Sequence, residues 1–175
     1  ATPERARLAA RQWGEPVWAE AKWDGIRAIG VWDGARLRLV ARSGNDVTFK
    51  YPEVTELDVG LGPEPAILDG EIVARDERGR PSFPLLQTRM NLQRPGEIAR
   101  ERKRTPVQYY LFDVLYAHER DVTALPLTQR RAILEALAAT ATAPVVVPPV
   151  FDDVDGALAT SEAFDLEGIV VKDPG

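Results

Sequence analysis

Cysteine is absent from this chain of 175 residues, which excludes disulfides, thiolate zinc sites, iron–sulfur clusters and a cysteine nucleophile. Histidine occurs once, as His118, so a multi-histidine metal site is excluded and a Ser-His-Asp triad is not expected. No apolar run approaches the ~20 residues that a membrane helix needs, and no signal-peptide pattern opens the chain. A soluble cytoplasmic domain with no membrane partner is the expectation. Lysine is scarce as well: of 22 basic residues, only Lys22, Lys50, Lys103 and Lys172 are lysines. Arginine keeps its charge, whereas lysine can lose its proton and become a nucleophile, so each ammonium asks for a reason. The net charge of −5 argues against a protein that coats nucleic acid through bulk charge.

What is present suffices for one domain. At this length a chain buries roughly 70% of its unfolded surface and needs no staples. Thr2 and Pro3 open a helix that runs to Gln12. Strands are expected over 17–21, 26–32 and 35–41, the last two joined by a two-residue Asp33-Gly34 hairpin turn. Residues 47–51 read as a short strand ended by Pro52, and 66–74 as a β-rich run with Asp-Gly at its middle. Ser82 begins a helix to Met90. Residues 89–104 hold six basic residues against Glu97 and Glu101, readable as a solvated face or as a grip on DNA phosphates. A long aromatic and β-branched strand follows over 107–116, then an amphipathic helix over 128–139. Val145 to Val147 form a short strand, Asp155 caps a helix to Phe164, and Ile169 to Val171 form the last strand. Strands separated more often by turns than by helices make the class α+β, with largely antiparallel sheets flanked by helices.

Three segments carry chemistry. Lys22-Trp23-Asp24-Gly25-Ile26-Arg27 presents an amine and a phosphate-binding guanidinium on one rigid turn. A free lysine titrates near ~10.4, so such an amine attacks only where neighbouring cations or burial lower that value. Leu68-Asp69-Gly70-Glu71-Ile72-Val73 sets two carboxylates in an apolar strand, a cost unless they are paired, hydrogen-bonded or on a metal. Glu167-Gly168-Ile169-Val170-Val171-Lys172 brackets a strand with a hard carboxylate suited to Mg²⁺ and a lysine suited to phosphate. Each has a plainer account when read alone. The first is then a surface hairpin, the second a bulge at Gly70 with both carboxylates in water, the third an ordinary edge strand. An offset of five also puts Glu167 and Lys172 on opposite faces of a regular strand, unless Gly168 breaks it.

Together and in this order, the three segments resemble the nucleophile, third and fourth motifs of the covalent nucleotidyltransferases, the superfamily of ATP-dependent DNA ligases, RNA ligases and capping enzymes. Two further stretches look like DNA ligases. Arg42-Ser43-Gly44-Asn45-Asp46-Val47-Thr48 precedes Tyr51-Pro52, although Ala41 stands where many ligases have serine. Tyr110 to Tyr116 resembles the strand whose aromatic stacks on adenine. The likeness covers nearly the whole chain and is greatest to the ligase domain of bacterial end-joining (ligase D type) enzymes and their stand-alone relatives.

That resemblance implies a covalent nucleotidyltransferase (ATP-grasp-like) fold over residues 1–175. It also implies an adenylation domain that stops after the fourth motif, short of the last lysine motif and of an OB-fold domain. It implies that Lys22 attacks the α-phosphate of ATP and holds AMP as a phosphoramidate, which then passes to a DNA 5′-phosphate for nick sealing. Arg27 and Glu71 would fix the ribose, Arg42 would contact ribose or DNA phosphate, and Glu20 would read the adenine amine. Phe112 and Val170 would sandwich the base, Lys172 would hold the α-phosphate, and Glu167, with Glu71, would serve Mg²⁺ or Mn²⁺. The implied partners are ATP and nicked or broken double-stranded DNA, with an OB-fold domain and other repair modules in a longer protein, in the bacterial cytoplasm beside the nucleoid. The alternative among enzymes is an RNA ligase or capping-type nucleotidyltransferase, distinguished by GTP preference, and the alternative of another class is a catalytically silent nucleotide- or DNA-binding module.

Overall fold

The computed structural model describes residues 3–13, 17–56 and 59–175. Two antiparallel sheets organise the chain. The larger takes β2 (Ile26–Trp32), β3 (Leu37–Ala41), β4 (Ala66–Ala74), β5 (Val107–Ala117) and β6 (Arg120–Asp121) in the order β3-β2-β4-β5-β6, and β7 (Val145–Val146) joins β5 in parallel. The smaller pairs β1 (Trp18–Ala21) with β8 (Ile169–Lys172). Helices α1 (Pro3–Trp13), α2 (Pro52–Thr55), α3 (Phe83–Met90), α4 (Pro95–Arg104), α5 (Leu127–Leu137) and α6 (Val154–Ala163) complete the order, and the class is the expected α+β. No helix among the described residues is long and apolar enough to cross a membrane.

Each sheet has its own core. Leu39, Leu68, Ile72, Tyr109, Leu111 and Leu134 are fully buried around the larger sheet. Ala6, Ala10, Ala19, Val154, Ala157 and Ile169 form a second cluster in which α1 and α6 cover β1 and β8. The central β4 is buried on both faces, which is why its sequence reads as a near-continuous apolar run.

Several local expectations change. Thr2 lies outside the described residues, and α1 begins at Pro3. The β2–β3 connection spans four residues, 33–36, because Asp33 Oδ1 accepts from the backbone N–H of Ala35 and Arg36 at 2.9 and 2.7 Å. Residues 48–50 form a single 3₁₀ turn leading into α2, not a strand. Thr48 Oγ1 accepts from the Leu39 N–H, filling with a side chain the place of a ladder bond. The segment from Pro95 to Arg104 is helical, and α6 is capped by Asp153, whose carboxylate accepts from the Gly156 N–H, not by Asp155.

Arg89 departs most from a basic surface. It is fully buried, forks onto Glu53 at 2.7 and 3.1 Å, and donates to the carbonyls of Thr105 and Lys50. Its guanidinium also lies 5.7 Å from the Tyr51 ring centroid. One side chain thereby joins the 3₁₀ turn, α2, α3 and the C-terminal end of α4.

Candidate active site

The two sheets face each other across a cavity of about 700 Å³. On one wall, the register Trp18↔Lys172 and Glu20↔Val170 sets these four residues on one face of the β1–β8 pair. The Lys22 N–H extends the ladder by donating to Gly168 O at 2.9 Å. Gly168 has φ 147°, a backbone conformation closed to most other residues, and it turns the chain before β8 starts. Glu167 therefore escapes the alternation of the strand. It lines the same cavity as Lys172 and forms an ion pair with the Lys22 ammonium.

The opposite wall is the larger sheet. Arg27 faces Glu71 and Asp69 faces Asp113 in the ladders of β4, and residues two apart on a strand share a face. β4 runs without interruption against β2, and the extra residue belongs to β5, where Phe112 has no partner between Asp113↔Asp69 and Leu111↔Gly70. The bulge thus sits on the neighbour of the strand where sequence suggested it. A bulge re-aims its side chain, and Phe112 points into the cavity. Asp69 does not face water: it is 4% exposed and takes a fork from Arg27, with Nε donating to Oδ1 at 2.9 Å. Gly25 is needed for close approach, because a Cβ there would lie 2.2 Å from Ile72 O.

Eight of the nine residues singled out from sequence line this cavity: Glu20, Lys22, Arg27, Glu71, Phe112, Glu167, Val170 and Lys172. Arg42 does not; it is exposed in the turn after β3. Glu20 is 7% exposed, and both its oxygens are engaged. Trp18 Nε1 donates to one and Lys172 Nζ to the other, each at 2.7 Å. The Lys172 ammonium also lies 5.2 Å from the Phe112 ring centroid, within cation–π range. Trp23 packs edge-on against Tyr110, ring centroids 4.6 Å apart, and steadies the turn after Lys22. Sequence reasoning passed over the roles of Trp18, Asp113 and Arg130. An aspartate inside the apolar run 107–116 was a readable signal, but how the expected helix over 128–139 would lie against that strand to supply its partner was not.

Seven carboxylates and four cations line the cavity. Burial lifts the Glu71 carboxyl to about 7, opposed by Arg27 and reinforced by Asp69 and Asp24. The folded chain therefore binds this proton more tightly than the unfolded chain. Stability from Glu71 is fully present below its usual value near 4.5 and is lost as pH rises towards about 7. Glu71→Gln is expected to flatten that slope. Thermal unfolding of both proteins at about pH 5 and about pH 7.5 checks it, and equal slopes would assign the dependence to another group. Among the described residues no cluster of three or more histidine, aspartate or glutamate side chains converges as a ready-made metal cage.

Known proteins resemble this chain over most of its length. A sequence profile of the ATP dependent DNA ligase domain matches residues 4–175. A DNA ligase of Natronomonas pharaonis is 34% identical over 166 residues, covering 95% of this chain and 30% of the relative. The multifunctional non-homologous end joining DNA repair protein LigD of Mycobacterium tuberculosis is 35% identical over 169 residues, covering 95% and 20%. The solved structure of mycobacterial DNA ligase D complexed with ATP and MES superposes with a TM-score of 0.73 at 33% identity, over 89% of this chain and 48% of that one. The chain thus spans less than a third of these curated relatives and about half of the solved chain. With a profile match over nearly its whole length and a lysine-bearing cavity between two sheets, the chain belongs to the ATP-dependent DNA ligase domain family.

Proposed function

We propose that this chain is the self-adenylating domain of an ATP-dependent DNA ligase. The observation that carries the reading is the meeting of Lys22, Glu167 and Lys172, from opposite ends of the chain, at one cavity with Arg27, Glu71 and Phe112. Adenine stacks between Phe112 and Val170, and one Glu20 oxygen accepts from the adenine amine, since a carboxylate has lone pairs beyond the two already used. Stacking takes the Phe112 face that the Lys172 ammonium covers, so Lys172 moves to an α-phosphate oxygen as the base enters. Arg27 and Glu71 hold the ribose hydroxyls.

Neutral Lys22 Nζ attacks the α-phosphorus in line, a P–N bond forms, and the bond to the pyrophosphate oxygen breaks. Glu167, already paired with Nζ, is the nearest acceptor for the ammonium proton. Arg27 and Lys172 stabilise charge on the transferring group, the dominant contribution in phosphoryl chemistry. The carboxylate excess of the cavity fits a divalent cation entering with a triphosphate. Glu167 and Glu71 are hard oxygen ligands of the kind Mg²⁺ or Mn²⁺ takes alongside phosphate oxygens. When bound, the ion supplies positive charge to the phosphates.

In the whole protein, AMP then passes to the 5′-phosphate of nicked or broken double-stranded DNA for sealing in repair. Arg42 is assigned to a DNA phosphate and an OB-fold domain to the far side of the cavity. Other repair modules accompany them, and the DNA substrate places the protein with the bacterial nucleoid. The test is intact-protein mass after incubation with ATP and Mg²⁺, beside a Lys22→Ala control. The expected result is a gain of one AMP in the parent alone, and none from GTP. A parent that binds no ATP sinks the reading.

A further inference from the structure

Asp69 and Asp113 stand directly opposite each other on β4 and β5, and like charges so placed repel unless each finds a cation. Each has one. Arg27 reaches Asp69 from β2. From α5, Arg130 forks onto Asp113, with Nε and Nη2 donating to its two oxygens at 2.8 and 2.9 Å. The third nitrogen of Arg130 donates to the Leu125 carbonyl, which fixes the fork from behind. The two cations differ in exposure: the Arg130 side chain is 17% exposed and that of Arg27 is 61%. Arg27 is the open, reaching member of the row, whereas Arg130 is anchored.

Asp113 also acts on Arg27. The proton of Arg27 is held by Asp69 first, with Glu71 and Asp113 adding to the field. A carboxylate this close competes for the guanidinium whenever it lacks a partner of its own, because an uncompensated buried charge is costly. Both arginines and both aspartates line the cavity.

We propose that Arg130 is a positioning residue for the nucleotide: by occupying Asp113, it leaves Arg27 paired to Asp69 and available to the ribose. The inference rests on the reading of this cavity as the ATP site and assigns a function to a pair that lies outside the three sequence segments. It does not make Arg130 a ligand of ATP. It makes the charge of Asp113 the quantity that matters.

The test measures equilibrium binding of ATP and of 2′-deoxy-ATP, and the rate of AMP transfer to Lys22 at saturating ATP, on the full chain. Arg130→Gln is expected to weaken ATP binding about tenfold and 2′-deoxy-ATP binding less, so that the preference for the ribose falls towards one. Its rate at saturation falls as well, because a displaced Arg27 no longer faces the charge on the transferring group. Adding Asp113→Asn to Arg130→Gln is expected to restore both affinities to within about threefold. A merely structural role predicts that ATP and 2′-deoxy-ATP binding weaken alike, with the ribose preference unchanged. Should Arg130→Gln alone not fold, Asp113→Asn carries the test, with parental ribose preference expected and a collapse of that preference overturning the charge account. An unchanged affinity in Arg130→Gln, or a double variant as weak as the single, overturns the proposal while leaving the ligase reading intact. A parent that binds no ATP overturns both.

Discussion

Lys22→Arg is expected to keep ATP in the cavity and to lower AMP transfer by about four orders of magnitude or more. The substitution retains a positive charge opposite Glu167, the partner Lys22 contacts. A guanidinium, however, keeps its proton at any physiological pH and offers no nucleophilic lone pair. Loss of transfer would then report the missing nucleophile and not a change in cavity charge, which Lys22→Ala alone cannot separate. ATP affinity within about fivefold of the parent, beside a mass spectrum without the AMP gain, is the expected pair of results. An adduct that persists on Lys22→Arg, mapped by peptide digestion to Lys172 or Lys50, would remove Lys22 from the reaction.

The second large effect is on stability. Arg89→Met removes a buried cation and leaves the Glu53 carboxylate, 14% exposed in its side chain, without its guanidinium. The carbonyls of Lys50 and Thr105 lose their donor as well. Breaking a buried pair from one side costs about 3–5 kcal/mol, since the remaining charge is left uncompensated. That is a large fraction of the stability of most domains, so the urea midpoint of Arg89→Met should fall well below that of the parent. Adding Glu53→Gln should recover part of the loss. A loss below about 1 kcal/mol would mean that Glu53 finds water or another donor. Arg89 Nε is buried without a partner, so the arrangement is not fully satisfied even in the parent.

What could be read from the sequence divides along physical lines. β4 was legible to its ends because a strand buried on both faces writes itself as an apolar run. The segment that became α4 was not, because its charged residues hide a single buried contact, Ile98. Residues 47–51 carry β-branched and aromatic side chains, yet Thr48 bonds the backbone of β3 and the chain turns. Side-chain capture of a backbone donor leaves no periodicity to detect. At the cavity, the residues within the three segments were singled out by the order of those segments and their likeness to a known family, not by spacing alone, and the structure brings them together. The bulge that aims Phe112 depends on the register between β4 and β5. The Arg130–Asp113 pair depends on how α5 lies against β5. Neither is a local property of the chain.

The pairing of β1 with β8 joins residues 18–21 to residues 169–172, almost the full length of the chain. During synthesis from the N-terminus, Lys22 leaves the ribosome well before Glu167 and Lys172. A nascent chain can fold much of its larger sheet while the Lys22 amine has neither its carboxylate partner nor a wall opposite Phe112. A product that stops before residue 167 therefore carries Lys22 without Glu167 and Lys172, the two charged residues that β8 and its preceding turn bring to the cavity.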